Sequence, residues 1–300
     1  GIDFVISTIM INYTSQKIIA MRLITLLTFS LLFIQLSTAQ PTDKKVGKIT
    51  FMMVDGEYED AAYKAEKLLS DFEYRKNAWL YFYLTQSYFE IAKKPELTEE
   101  YPRALKEALK AAYKLDKYKD ENEENKIAYR EAQDLLTSLK DSIITLSEIY
   151  YDNENPRKAA YFLKRGVKFD PDDYALQLME GVYEIKSRNI GEGIKNIMAA
   201  LDSIDASYKP DEVSAQTLVD ALEEYAMILK SGEYDRYFSA YKFEPTQKDI
   251  DDALAMSEEY KKYVKPEEMV SKEDRKKKSE TIYKSFRSED KEDNEEEEDE

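Results

Sequence analysis

Residues 140–173, "KDSIITLSEIYYDNENPRKAAYFLKRGVKFDPDD", can be set above residues 174–207, "YALQLMEGVYEIKSRNIGEGIKNIMAALDSIDAS". At this offset of 34, Ser147 falls on Gly181, Ala159 on Gly193, Leu163 on Ile197 and Gly166 on Ala200. Each pair matches small with small or aliphatic with aliphatic. A fixed period of this length marks a repeated supersecondary unit, here two helices and two turns. Gly166 by itself is a helix defect, costing about 1 kcal/mol relative to alanine. One period from Ala200 and seven residues from Ala159, it becomes a position where a second helix lies close.

The same helical reading extends outward from this stretch. Ala128, Ala132, Leu135, Leu139, Ile143, Leu146 and Tyr150 make one apolar stripe, so a single helix is expected over 125–152, with a break near Lys140–Ser142 as the alternative. Further helices are expected near 45–54, 57–70, 76–92, 101–117, 155–168, 173–187, 190–204, 212–230 and 233–242. Turn signals separate them, among them Asp55–Gly56, Lys94–Pro95, Asn153–Pro156, Asp170–Pro171, Asn189–Gly191, Lys209–Pro210 and Ser231–Gly232. Only 8 Gly and 8 Pro occur in 300 residues, and no alternating strand pattern is present, so the expected fold class is all-α.

Composition excludes much chemistry. The chain has no Cys and no His, which removes His-based acid–base catalysis, Ser–His and Cys–His nucleophiles, disulfides and the usual zinc sites. The net charge of −17 disfavours a nucleic-acid partner, since cationic surface supplies most of that affinity. Met21 to Ala39 carries Arg22, an apolar run from Leu23 to Leu36 and Ser37-Thr38-Ala39. This is the pattern of a signal peptide cleaved before Gln40, and no membrane span is expected after cleavage. Residues 1–20 read as an upstream extension, 40–242 as the repeat domain and 243–287 as a helical, charged extension. Residues 288–300, "SEDKEDNEEEEDE", read as a disordered acidic tail of net charge −9.

The period and its residues resemble the tetratricopeptide repeat. Ile143, Leu146-Ser147 and Tyr150 match the first helix of that family's unit; Ala159, Leu163 and Gly166 match the second, and Pro171 closes it. The next unit matches at Gly181, Gly193, Ile197 and Ala200. It departs at Glu184, where the family has tyrosine (Tyr183 lies beside it), and it lacks a closing proline in register. "DGEYEDAAYKAEKLL" (55–69) resembles another turn and second helix. The resemblance covers about 45–242. It implies antiparallel helix pairs stacked as a right-handed solenoid, with a concave groove that binds peptides.

Carrying the groove positions over gives Asp141, Ile144, Glu148, Tyr151 and Asp152 from one unit. The next unit contributes Ala175, Leu178, Val182, Ile185 and Lys186. Acids stand where a carboxylate clamp of the family would need cations, so the expected partner is a protein segment with basic and apolar residues. No paired catalytic carboxylates or phosphate loop emerge: Asp170, Asp172 and Asp173 read as a helix stop and N-cap, and "RNIGEGIKN" (188–196) lacks a P-loop's spacing. The expectation is therefore a non-enzymatic scaffold without cofactor or metal. The resemblance also extends to exported proteins of Bacteroidetes-type bacteria, which implies a periplasmic or outer-membrane-associated location. The alternative is a carbohydrate- or cell-wall-binding repeat protein.

Overall fold

The computed structural model describes residues 41–265. The signal-peptide pattern, the 1–20 extension, the acidic tail and residues 266–287 of the charged extension lie outside the described residues. Every regular element among the described residues is helical. Twelve α-helices run in order: α1 (Lys44–Asp55), α2 (Tyr58–Leu69), α3 (Ala78–Ala92), α4 (Ala104–Tyr118), α5 (Glu123–Glu131) and α6 (Gln133–Asp152). They continue as α7 (Pro156–Phe169), α8 (Tyr174–Lys186), α9 (Ile190–Ser203), α10 (Ala215–Ser231), α11 (Asp235–Ala240) and α12 (Gln247–Tyr260). Among the described residues, no helix is long and apolar enough to cross a membrane.

Local chemistry sets the ends. Asp43, Asn77, Asn122, Asn155 and Asp173 each accept a backbone N–H of the helix they precede, satisfying donors that the helix leaves open. Pro156 occupies the first turn of α7, where its missing N–H is not needed. The turns inside successive units are the same. Glu154 and Arg188, 34 residues apart, both adopt a left-handed conformation, with φ of 60° and 73°. The next residue in each case, Asn155 or Asn189, donates back to the carbonyl of Tyr150 or Glu184. Gly56 makes the same turn between α1 and α2, where Glu57 N–H bonds to Met52 O.

Packing is mostly between neighbours in the chain: α2 on α3, α3 on α4, α6 on α7, α7 on α8 and α8 on α9. Helices two apart also meet, as in α1–α3, α8–α10 and α10–α12, and α4–α7 joins the two halves. The packed helices thus continue past residue 242. Ala159, Leu163, Gly166, Gly181, Gly193, Ile197 and Ala200 are all buried, while Pro171 is exposed in the turn that ends α7. An ideal Cβ on Gly166 would lie 2.6 Å from Ile143 Cδ1 and 2.9 Å from Leu176 Cδ1, so α6 and α8 both close on this position.

The expectation of one helix over 125–152 is corrected. The helix is interrupted at Ala132, not near Lys140–Ser142. Gln133 Nε2 donates to the Tyr129 carbonyl, the acceptor that an unbroken helix would give to the Gln133 backbone N–H. Upstream, Asn125 is pinned: its Nδ2 bonds the Lys76 and Tyr118 carbonyls, and its Oδ1 accepts from Ala78 N–H. The break lets α5 follow α3 while α6 turns to α7. It also moves the stripe, so that Leu136 is buried and Leu135 only half-buried.

Candidate functional site

Three helices, α6, α8 and α10, line a cleft of about 170 Å³. Among the described residues, its polar wall holds Glu148 and Asp152 from α6 and Asp220, Glu223 and Glu224 from α10. Its apolar and aromatic surface comes from Ile149, Tyr151, Met179, Tyr183 and Met227. Tyr151 and Tyr183 stack with ring centroids 4.5 Å apart and planes 18° from parallel. Met227 is 55% exposed, an uncommon state for so large an apolar side chain.

Lys186 closes one side. Its Nζ donates to Glu224 and to the Tyr151 hydroxyl. Burial opposes the charge on Lys186, but these two bonds outweigh it and raise its pKa above the ordinary lysine value. Burial, reinforced by Glu148 and other nearby acids, raises the Tyr183 pKa strongly, so its phenol stays neutral. Lys261, just past α12, pairs at 3.2 Å with Glu223, which also accepts from Ser257 at 3.0 Å.

Of the residues expected in a groove, Glu148, Tyr151 and Asp152 come together in this cleft, and Lys186 borders it. Asp141 is exposed but lies outside the lining, and Ile144 is buried. Ala175, Leu178, Val182 and Ile185 are 0% exposed and face the core. Because α8 packs against α7, α9 and α10, only Met179 and Tyr183 reach the cleft. Missing from the sequence reading was the whole contribution of α10. The connection before α10, residues 204–214, is seven residues longer than the 170–173 connection before α8. Equivalent positions therefore shift from 34 to 41 residues apart, so that Met179, Tyr183 and Lys186 answer to Asp220, Glu224 and Met227. At that offset the paired residues share no chemical type, so the repeat pattern carried no signal for them.

A second polar cluster lies where Lys140, within α6, meets the connections before α8 and α10. Lys140 is 3% exposed, and its ammonium donates to Asp170, to Asp173 at 2.8 Å and to Asp211. Asp173 also caps α8, and Asp211 accepts from Ser214 N–H and Oγ. Carboxylate oxygens of the three acids approach within 4.8 Å of one another, a spacing suited to a metal ion. The Lys140 ammonium already supplies the cation there. Burial penalises that charge, but the three carboxylates together hold its pKa above the ordinary lysine value. The cluster ties α6 to the connections before α8 and α10.

No protein-family model, curated protein or solved structure matches the chain.

Proposed function

We propose that this chain is an exported, non-enzymatic scaffold of the bacterial cell envelope. Its helices form a tetratricopeptide-like solenoid, and the α6–α8–α10 cleft takes up a segment of another protein rich in basic and apolar residues. The observation that carries this reading is the cleft itself: five carboxylates beside stacked tyrosines and two methionines. Such a lining suits Lys or Arg side chains at the wall and an apolar side chain on the floor. The recurrence of the α6–α7 turn 34 residues later supports the repeat architecture. The absence of His and Cys from the whole sequence supports a binding role over catalysis. The signal-peptide pattern at 21–39 supports export.

The test is affinity capture from an envelope extract by the full chain and by a Glu148→Gln/Asp152→Asn/Asp220→Asn variant. A specific protein should be retained by the unaltered chain and lost at least tenfold by the variant, with binding that weakens as salt rises. Binding to a glycan array with no specific protein retained would overturn the reading in favour of a carbohydrate-binding protein.

A further inference from the structure

The chain carries a segment with the chemistry that the cleft suits. Residues 275–287, "RKKKSETIYKSFR", hold six Lys or Arg, one Glu and three large apolar or aromatic residues. Ile282 and Phe286 are four residues apart, the spacing that would place both on one face of a helix. The cleft offers the complement, with acids on its wall and Tyr151, Met179, Tyr183 and Met227 on its apolar side.

The described chain passes the cleft at Lys261 and ends at Lys265 beside the start of α10, within reach of it. Lys261, the first residue after α12, is already paired with Glu223, a lining carboxylate. Lys265 bonds Glu212, which precedes α10. Glu224 is twelve residues further along, roughly 18 Å at the rise of a helix. Arg275 is ten residue steps beyond Lys265, and an extended chain of that length reaches about 33 Å. The segment can therefore double back along α10 and reach the acids.

We infer that residues 275–287 occupy the α6–α8–α10 cleft of their own chain, with Lys276–Lys278 at the acidic wall and Ile282 or Phe286 against the apolar side. This rests on the reading of the cleft as a peptide-binding site and makes the segment a built-in competitor of any outside partner. The rival occupant for the basic residues is the acidic run 288–300. That run supplies charge alone, with no apolar or aromatic residue, so it leaves Ile282 and Phe286 unserved.

Zero-length carbodiimide cross-linking of the full chain, read by mass spectrometry, tests the placement. Links from Lys276, Lys277, Lys278 or Lys284 to Glu148, Asp152, Asp220 or Glu224 are expected. They should vanish in a Glu148→Gln/Asp152→Asn/Asp220→Asn/Glu224→Gln chain. Links confined to 288–300 would overturn the inference. A second measurement uses a labelled synthetic peptide of sequence 275–287. It should bind a Lys276→Glu/Lys277→Glu/Lys278→Glu/Lys284→Glu chain at least tenfold tighter than the unaltered chain, because the altered segment no longer competes. Equal affinity for both chains would sink self-occupancy while leaving the cleft a basic-peptide site. Cleft cross-links without capture of any outside protein would support self-occupancy and defeat the scaffold reading instead.

Discussion

The α6/α7 pair and the α8/α9 pair are built on one plan, yet different chemistry holds them together. At the first crossing, Ser147 Oγ donates to the Ala159 carbonyl at 2.9 Å. At the second, 34 residues on, glycines stand in both places and the backbones meet. A Cβ on Gly181 would lie 2.8 Å from Gly193 O and 3.0 Å from Ile197 N. Beside the first crossing lies Leu146, 0% exposed, with Tyr150 stacked on Phe162 at 5.4 Å. The corresponding positions beside the second are Glu180, Glu184 and Asn196. Glu180 accepts from Asn196 at 3.0 Å, and Glu184 accepts from Asn189 at 2.8 Å. Beside its crossing, the first pair relies on apolar burial that is indifferent to pH. The other combines a tight backbone contact with buried acids. A shared period thus transmits geometry without transmitting the interactions that stabilise it.

The largest effect is expected where backbone meets backbone. Gly181→Ala should destabilise by about 3 kcal/mol, the upper part of the overpacking range, because neither the Gly193 carbonyl nor the Ile197 amide can swing aside. Denaturant unfolding would measure it; a change within 0.5 kcal/mol, the ordinary size of a surface substitution, would mean that the crossing is looser than described.

Next is Glu180→Gln, which should stabilise. Burial, the largest cause, with help from Glu184 and Glu192, lifts the Glu180 pKa from the ordinary 4.5 to about 7, against the pull of Lys164 and Asn196. A carboxyl raised in the folded state is tolerated while neutral and costs stability as it ionises. That cost grows between pH 4.5 and 7 at up to about 1.4 kcal/mol per pH unit, reaching roughly 3 kcal/mol. The melting temperature of the Gln variant should therefore exceed that of the unaltered chain at pH 8 and converge with it near pH 4.5. A gap that does not vary with pH would place the Glu180 pKa near its ordinary value. Leu146, at the corresponding place in the α6/α7 pair, has no titratable group and adds no such pH dependence.

Gly166→Leu should cost over roughly 2 kcal/mol, and Gly166→Ala less, because the obstructing atoms are the movable tips of Ile143 and Leu176 and not backbone. Similar costs for Gly166→Ala and Gly181→Ala would erase the distinction between the two kinds of close approach. The smallest effect is expected for Ser147→Ala, about 1 kcal/mol for one buried hydrogen bond, read as a shift in the urea midpoint at constant slope. A loss above about 3 kcal/mol would show that Ser147 does more than fill the place of the second glycine.

Local chemistry determined much of this protein before any packing was considered. Apolar spacing, asparagine and aspartate caps and the Asn155-Pro156 and Asp170-Pro171 punctuation placed the helices. The 34-residue offset identified Gly166, Gly181 and Gly193 as close-packed positions, because such a position must carry a small residue wherever it recurs. Three cleft residues, Glu148, Tyr151 and Asp152, were also legible, since they belong to the unit whose repeat was plainest. Only the tertiary structure decided the rest. The 204–214 connection put α10 out of phase, so its acids could be placed in the cleft only once α8 and α10 lay side by side. The break at Ala132 answers to Asn125, held by residues far from it in the chain. Whether an acid such as Asp173 or Glu180 is solvated or buried depends on which helices cover it. A one-dimensional pattern records the faces of each helix, whereas burial and charge pairing depend on neighbours from elsewhere in the chain.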